Sequence, residues 1–264
     1  MRIAVLQETA SGESRVAATP ETVKKFIALG ATVAVQPGAG AGASIADADY
    51  AAVGAEVAKT AAAAVKGADA VLGVQGPEAK ALSGANAGAW VVAGLDPFGQ
   101  RARVDAYAAA GIEALAMEFM PRITRAQSMD ILSSQSNLAG YKAVIEAANL
   151  YGRAFPMMMT AAGTVPAAKV FVMGVGVAGL QAIATARRLG AQVEGFDVRP
   201  ETREQIESLG GKFLDLGVSA AGEGGYARAL TDEERAEQQR RLGEHLKNVD
   251  VIVTTAAIPG RPAP

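Results

Sequence analysis

Apolar and polar positions change rhythm repeatedly along this chain, and the alternation predicts strands joined by helices. Arg2 to Gln7 (RIAVLQ) is a short, mostly branched apolar run and reads as a strand; a polar loop, Glu8 to Thr19, follows and contains Arg15. Pro20 opens a helix through Leu29 that Gly30 stops, and Thr32 to Val35 reads as a second strand. After the glycine-alanine loop Ala39 to Ser44, the stretch Asp47 to Lys66 reads as an alanine-rich helix interrupted near Gly54. Ala70 to Val74, Trp90 to Ala93 and Ile112 to Leu115 are three more strand-like runs, with a helix over Val104 to Ala110. Such alternation implies a parallel sheet covered on both faces.

From Pro121 the pattern changes. Residues 122–130 (RITRAQSMD) concentrate charge and amide groups, and Ile131 to Leu150 then reads as a helix linking two domains, with Leu138, Tyr141, Val144, Ile145 and Ala148 on one stripe. Arg153 to Pro166 is irregular, and its Met157-Met158-Met159 run reads as core packing. Val170 to Met173 is a buried strand that breaks into Gly174-Val-Gly176-Val177-Ala-Gly179, followed by an amphipathic helix that Gly190 closes and a second strand ending at Asp197. Beyond it, Glu201 to Leu209 reads as a helix, Lys212 to Leu214 as a short strand and Gly217 to Tyr226 as a flexible loop. Thr231 and Glu234 form a capping box for the next helix, and Val251 to Val253 reads as a buried strand. The expected fold is α/β, with two Rossmann-like, doubly wound, parallel-sheet domains at 1–130 and 131–264. A doubly wound nucleotide domain usually carries more strands than follow here, so the second reads as truncated at its C-terminus.

The glycine turn carries the clearest chemistry. Gly174 permits a sharp strand-to-helix turn, Gly176 lacks the side chain that would block a pyrophosphate, and Gly179 permits close packing of helix on strand. The helix N-terminus presents unpaired N–H groups to a phosphate. Asp197 lies 23 positions after Gly174, where the end of the second strand aims a carboxylate at an adenosine ribose diol. With 30 glycines in the chain, the glycine spacing alone means little; the strand before, the helix after and the acid at the right distance together predict a dinucleotide site. Arg199, two residues on, can meet a 2′-phosphate, but Asp197 repels one, and the balance favours NAD.

Composition narrows the rest. The 264 residues suffice for two domains, and a net charge of −2 gives no reason to expect nucleic acid or an acidic membrane surface as partner. There is no cysteine, hence no disulfide, thiolate nucleophile or cysteine metal site. Between Ala154 and Ala186 the only charge is Lys169, yet Pro156, Gly163, Pro166 and the glycine turn argue against a membrane span. His245, the only histidine, sits on a strongly charged segment and reads as solvated. Neither HExxH nor GxSxG occurs, so no metal site is expected and serine hydrolase chemistry has no support. Arg122, Arg125, Gln127 and Asp130 remain, either as anchors for the following helix or as groups that orient a nicotinamide.

PRITRAQSMDILSSQSNLAGYKAV, FPMMMTAAGTVPAAKVFVMGVGVAGLQAIATARRLGA, GEGGYARAL and TTAAIPGRPAP closely resemble the NAD(H)-binding domain I, in the alpha subunit, of proton-translocating NAD(P) transhydrogenase. The resemblance runs from Glu13 to the last residue and is weaker between Gly73 and Gln100. It implies that Arg122, Gln127 and Asp130 reach the nicotinamide end as the catalytic set, with Ser133 adding a polar contact. It also implies a cofactor-binding set of Gly174, Gly176, Val177, Gly179, Asp197, Val198, Arg199, Tyr226, Thr255 and Ala256, with Tyr226 on a loop that closes over nucleotide. By the same resemblance the chain is a homodimer that holds NAD(H) and docks with an NADP(H)-binding domain and a membrane proton channel. Its implied place is cytoplasmic, peripheral at the inner face of a bacterial plasma membrane.

The nearest alternative is an alanine dehydrogenase-like enzyme, which needs a proton-handling histidine and a substrate-binding lysine. The corresponding strand ends carry Gln75 and Asp96; only Arg15 is retained. Transfer between two nicotinamides needs no acid or base, only aligned rings. A nucleotide-binding module without turnover is the third reading, since one chain holds one nucleotide site.

Overall fold

The computed structural model describes residues 1–121, 123–199, 201–217 and 231–256. It divides into two compact units, the first ending at Ile131 and the second beginning at Leu132.

In the first unit, β1 (Arg2–Val5), β2 (Thr32–Val35), β3 (Glu56–Val57), β4 (Ala70–Gln75), β5 (Trp90–Gly94) and β6 (Glu113–Ala116) form one parallel sheet in the order β3-β2-β1-β4-β5-β6. Both faces of the central strands are covered, which is why they read as continuous apolar runs. One core cluster joins Val5, Val23, Val35 and Tyr50, and another joins Val71, Val91, Leu95 and Tyr107. Helices α1 (Pro20–Ala28), α2 (Asp47–Ala52), α3 (Ala61–Val65) and α4 (Arg101–Ala109) supply the outer layers. Thr19 caps α1 by accepting from the Thr22 N–H, and Pro20 takes the first helical turn, where its missing N–H costs nothing.

The expected helix over Asp47 to Lys66 is not continuous. Gly54, at φ +92°, takes a left-handed conformation beyond α2, and Val57 then pairs with Val35 as the edge strand β3 before α3 begins. A two-residue strand carries no periodic signal, so alanine content hid it.

The second unit contains α5 (Ile131–Leu150, its first residue belonging to the first unit), the hairpin β7 (Met158–Thr160) and β8 (Gly163–Val165), β9 (Lys169–Met173) and α6 (Val177–Arg188). These are followed by β10 (Gln192–Phe196), α7 (Thr202–Ser208), β11 (Lys212–Phe213), α8 (Asp232–Leu246) and β12 (Val251–Thr254). The parallel sheet has the order β11-β10-β9-β12, again winding both ways from its first strand. Val144 of α5, Val170, Val172, Ile183, Val193 and Ile206 form its main core, and Phe171, Phe196 and Leu216 form a second cluster under α8. The capping box at the start of α8 has Thr231 accepting from Glu234 N–H while the Glu234 carboxylate accepts from Thr231 N–H.

Four expectations in this unit change. Met157, Met158 and Met159 are 59%, 50% and 71% exposed, because they lie on and beside a two-stranded hairpin that pairs with no other strand among the described residues. Leu138 and Tyr141 of the α5 stripe are exposed; the face that packs centres on Gly140 and Val144, with Ala143, Ala147 and Ala148 beside it. Only Val253 of β12 is buried, since β12 is an edge strand among the described residues. His245 is not freely solvated: its ring packs edge-on against Phe171 and its Nε2 lies 2.8 Å from a Glu194 carboxylate oxygen.

Gly140 shows how closely α5 approaches α6. A methyl group there would lie 2.0 Å from the carbonyl oxygen of Ala178, a backbone atom that cannot step aside. Gly140→Ala is therefore expected to destabilise the chain by about 2–3 kcal/mol, the upper range for overpacking, read as a lowered thermal midpoint, whereas Gly152→Ala, with open space around it, should leave the midpoint nearly unchanged.

A candidate dinucleotide site at the glycine turn

The turn after β9 is built by backbone contacts. Gly174 stands at φ +87°, and a methyl group on it would lie 2.4 Å from the Ala256 nitrogen, so both conformation and space demand glycine. Gly174 N–H donates to Phe196 O at 2.9 Å, and Thr255 N–H donates to Met173 O at 2.9 Å, which ties the turn to the ends of β10 and β12. Thr255 Oγ1 donates to Gly174 O at 2.6 Å. A methyl group on Gly179 would lie 2.0 Å from that same carbonyl oxygen, so α6 sits directly on the turn. Thr255, Ala256 and the three glycines are thus brought together.

Gly176 differs from its neighbours. It is the N-cap of α6, and nothing in the chain lies within 4 Å of where its side chain would be. Packing does not require a glycine there, whereas a group approaching the helix N-terminus from outside does. The first turn of α6 contains no acidic residue, and Val177 is 42% exposed at the same edge. The donor set suits a pyrophosphate.

Asp197 closes the other side. Its Oδ2 accepts from Val175 N–H at 2.8 Å, inside the glycine turn, and its Oδ1 accepts from Arg199 N–H at 3.0 Å. The Arg199 guanidinium forks onto both oxygens at 3.0 Å. Burial pushes the Asp197 carboxyl up, but the hydrogen bonds from the Arg199 side chain, then from the Arg199 and Val175 N–H groups, outweigh it and hold the group below the usual aspartate value. Arg199 is pushed up in turn, chiefly by its hydrogen bond to Asp197. Val198 packs at the margin of the cluster of Phe171, Phe196 and Leu216.

The remaining expected residues lie on other elements. Gln127 is exposed on a 3-10 helix, Thr124–Met129, whose end is marked by Asp130; both belong to the first unit. Ser133 lies in the first turn of α5, in the second unit. Arg122 and Tyr226 lie outside the described residues. Two elements of the site were missed from sequence. The bond from Val175 to Asp197 joins residues 22 apart and leaves no local signature. Gly140 did leave one, as a glycine inside a 20-residue helix.

A separate hollow of about 480 Å³ lies at the opposite end of the second sheet, beside the first residues of β9, β10 and β11, and includes Lys169, Glu194, Lys212 and His245 in its lining. Ligands of open α/β sheets bind outside the carboxyl ends of the strands, so the glycine turn, rather than this hollow, is the candidate site. Among the described residues no cluster of three or more acidic or histidine side chains is placed to hold a metal, and no helix is long and apolar enough to cross a membrane.

A family model for the N-terminal domain of alanine dehydrogenase/PNT matches residues 4–139, and one for the C-terminal domain matches residues 143–264. The chain belongs to the alanine dehydrogenase/PNT family. An NAD(P) transhydrogenase alpha subunit of Rhodospirillum rubrum is 53% identical over 274 aligned residues, covering 100% of this chain and 71% of that protein. The crystal structure of a transhydrogenase from Sinorhizobium meliloti is 52% identical with a TM-score of 0.87, over 100% of this chain and 72% of the other. An L-alanine dehydrogenase structure matches at 25% identity and a TM-score of 0.80, over 100% and 68%. The resemblance to transhydrogenase alpha subunits read from the motifs and the Rossmann-like fold of this family member are both established by these matches.

A carboxyl held below its unfolded value contributes stability that is present above that value and lost as pH falls through the folded one. Thermal midpoints of the wild-type chain and Asp197→Asn should therefore differ by a constant amount above about pH 5 and converge as pH falls below about 4, the ordinary aspartate range. A difference that persists unchanged at pH 2 would contradict the assignment of the Asp197 ion pair.

Proposed function

We propose that the chain is the NAD(H)-binding component of a proton-translocating NAD(P) transhydrogenase, exchanging hydride with NADP(H) held on a partner domain. The observation that carries this reading is the junction of Gly174, Gly176 and Gly179 with Asp197, set in a sequence 53% identical to a transhydrogenase alpha subunit. In it Gly176 leaves room for the pyrophosphate at the N-terminus of α6, and Asp197 takes the adenosine ribose. Bound NADH supplies the hydride. Gln127 and Asp130, with Arg122, orient the nicotinamide ring, Ser133 adds a polar contact, and Tyr226 covers the nucleotide. These roles rest on the motif resemblance. The working assembly on this reading is a homodimer joined to an NADP(H)-binding domain and a membrane proton channel, peripheral at the inner face of a bacterial plasma membrane.

The strand ends of the first unit favour this over amino-acid dehydrogenation. Beside β1 and β4, the arginine that a keto-acid carboxylate would need is engaged: Arg15 forks onto Glu13 at 2.7 and 2.5 Å, and Gln75 donates to the same carboxylate at 3.2 Å. The Arg15 side-chain hydrogen bond is the main reason that the Glu13 carboxyl is pulled down to about 2. No lysine or histidine stands at Gln75 or Asp96 to move protons.

The test is a pair of assays. With the NADP(H)-binding partner added, the chain should transfer hydride from NADH to an NADP analogue and should not reduce NAD with alanine; turnover only with alanine would replace the reading. Gln127→Ala should lower that transfer about tenfold or more with little change in NADH affinity. Titration should also show tighter binding of NADH than of NADPH.

A further inference from the structure

An aspartate carboxylate offers about four acceptor directions on its two oxygens, and at Asp197 all four are in use. Oδ1 accepts from the Arg199 N–H and from Arg199 Nε, each at 3.0 Å. Oδ2 accepts from Val175 N–H at 2.8 Å and from the Arg199 Nη2 at 3.0 Å. The same Nη2 reaches the Val175 carbonyl oxygen at 3.2 Å, so the guanidinium bridges the carboxylate and the glycine turn. Both partners are largely withdrawn from water, with 9% of the aspartate side chain and 21% of the arginine side chain exposed.

A ribose diol that donates two hydrogen bonds to this carboxylate needs two of those directions. The two backbone N–H groups are fixed by the turn and the strand end, whereas the arginine side chain can rotate away. We propose that Arg199 is a displaceable guard of the adenosine end of the site: its guanidinium holds the place of the ribose diol on Asp197 and must swing out for the nucleotide to bind, which makes it a determinant of affinity and of 2′ selectivity. The inference rests on the dinucleotide reading above. Breaking a bidentate, charge-assisted fork draws on the free energy of binding, so the arginine weakens a nucleotide with a free 2′-hydroxyl. Once displaced, it stands beside the ribose and is available to a 2′-phosphate.

The experiment measures NADH and NADPH dissociation constants for the wild-type chain, Arg199→Ala and Arg199→Lys, with thermal unfolding of each nucleotide-free protein. Arg199→Ala should bind NADH about threefold or more tightly than wild type, bind NADPH less tightly, and unfold at a lower temperature without nucleotide because Asp197 has lost its partner. Arg199→Lys, a cation without the fork, should fall between them. In an Asp197→Asn background the gain in NADH affinity from Arg199→Ala should vanish. A folded Arg199→Ala that binds NADH no better than wild type overturns the proposal alone. Failure of the wild-type chain to bind NADH saturably overturns the functional reading, and the proposal with it.

Discussion

The second unit is organised around a contact in which no side chain intervenes: α6 rests on the end of β9 with Gly179 against the carbonyl oxygen of Gly174. That approach fixes the helix N-terminus relative to the sheet edge. It also leaves no room for error at Gly174, which must take a positive φ and at the same time clear the Ala256 backbone. The long helix α5 repeats the device from the other side, with Gly140 against the Ala178 carbonyl. Three backbone-to-backbone contacts therefore hold the α6 N-terminus, and the two apolar clusters fill in around them.

Holding a helix N-terminus rigid makes its N–H groups a preorganised electropositive edge. Asp197 then does two things at once. It accepts from the Val175 N–H, which braces the turn, and it carries the charge that a ribose diol would meet. An ion pair in which both partners are mostly withdrawn from water is a poor source of net stability; its value here lies in setting position and selectivity. Glu13 and Arg15 form a second forked pair at the strand ends of the first unit, with the arginine exposed, where the sheet also winds in both directions from its first strand. The two units thus share one architecture, and it is the second in which an open glycine, Gly176, caps the helix that follows the first strand. Function follows the sites rather than the fold.

Much of the fold was legible because parallel strands buried on both faces are written as apolar runs, and glycine and proline punctuate them; β1, β2, β4, β5, β9 and β10 follow from that rule. The two-residue β3 was not legible, since it forms by adding to an existing sheet edge. The exposed methionines were misread because hydrophobicity indicates burial only where an element has something to pack on. Likewise, Val144 and Ala148 of the α5 stripe pack on the core as read, whereas Leu138 and Tyr141 are exposed and the closest approach is made by Gly140, the residue with no side chain at all. At the site, the glycines and Asp197 were read from spacing, but the lacing of Val175, Asp197 and Arg199 depends on a turn whose geometry no linear pattern encodes.

The central claim is that a dinucleotide lies across the glycine turn with its phosphates on the N-terminus of α6. Amide chemical-shift mapping of the isotope-labelled chain during NADH titration tests it most directly. The account predicts the largest saturable changes at the amides of Val175, Gly176, Val177 and Ala178, together with Arg199. Changes concentrated instead at the strand ends of the first unit, around Glu13 and Gln75, with the glycine-turn amides unmoved, would contradict it.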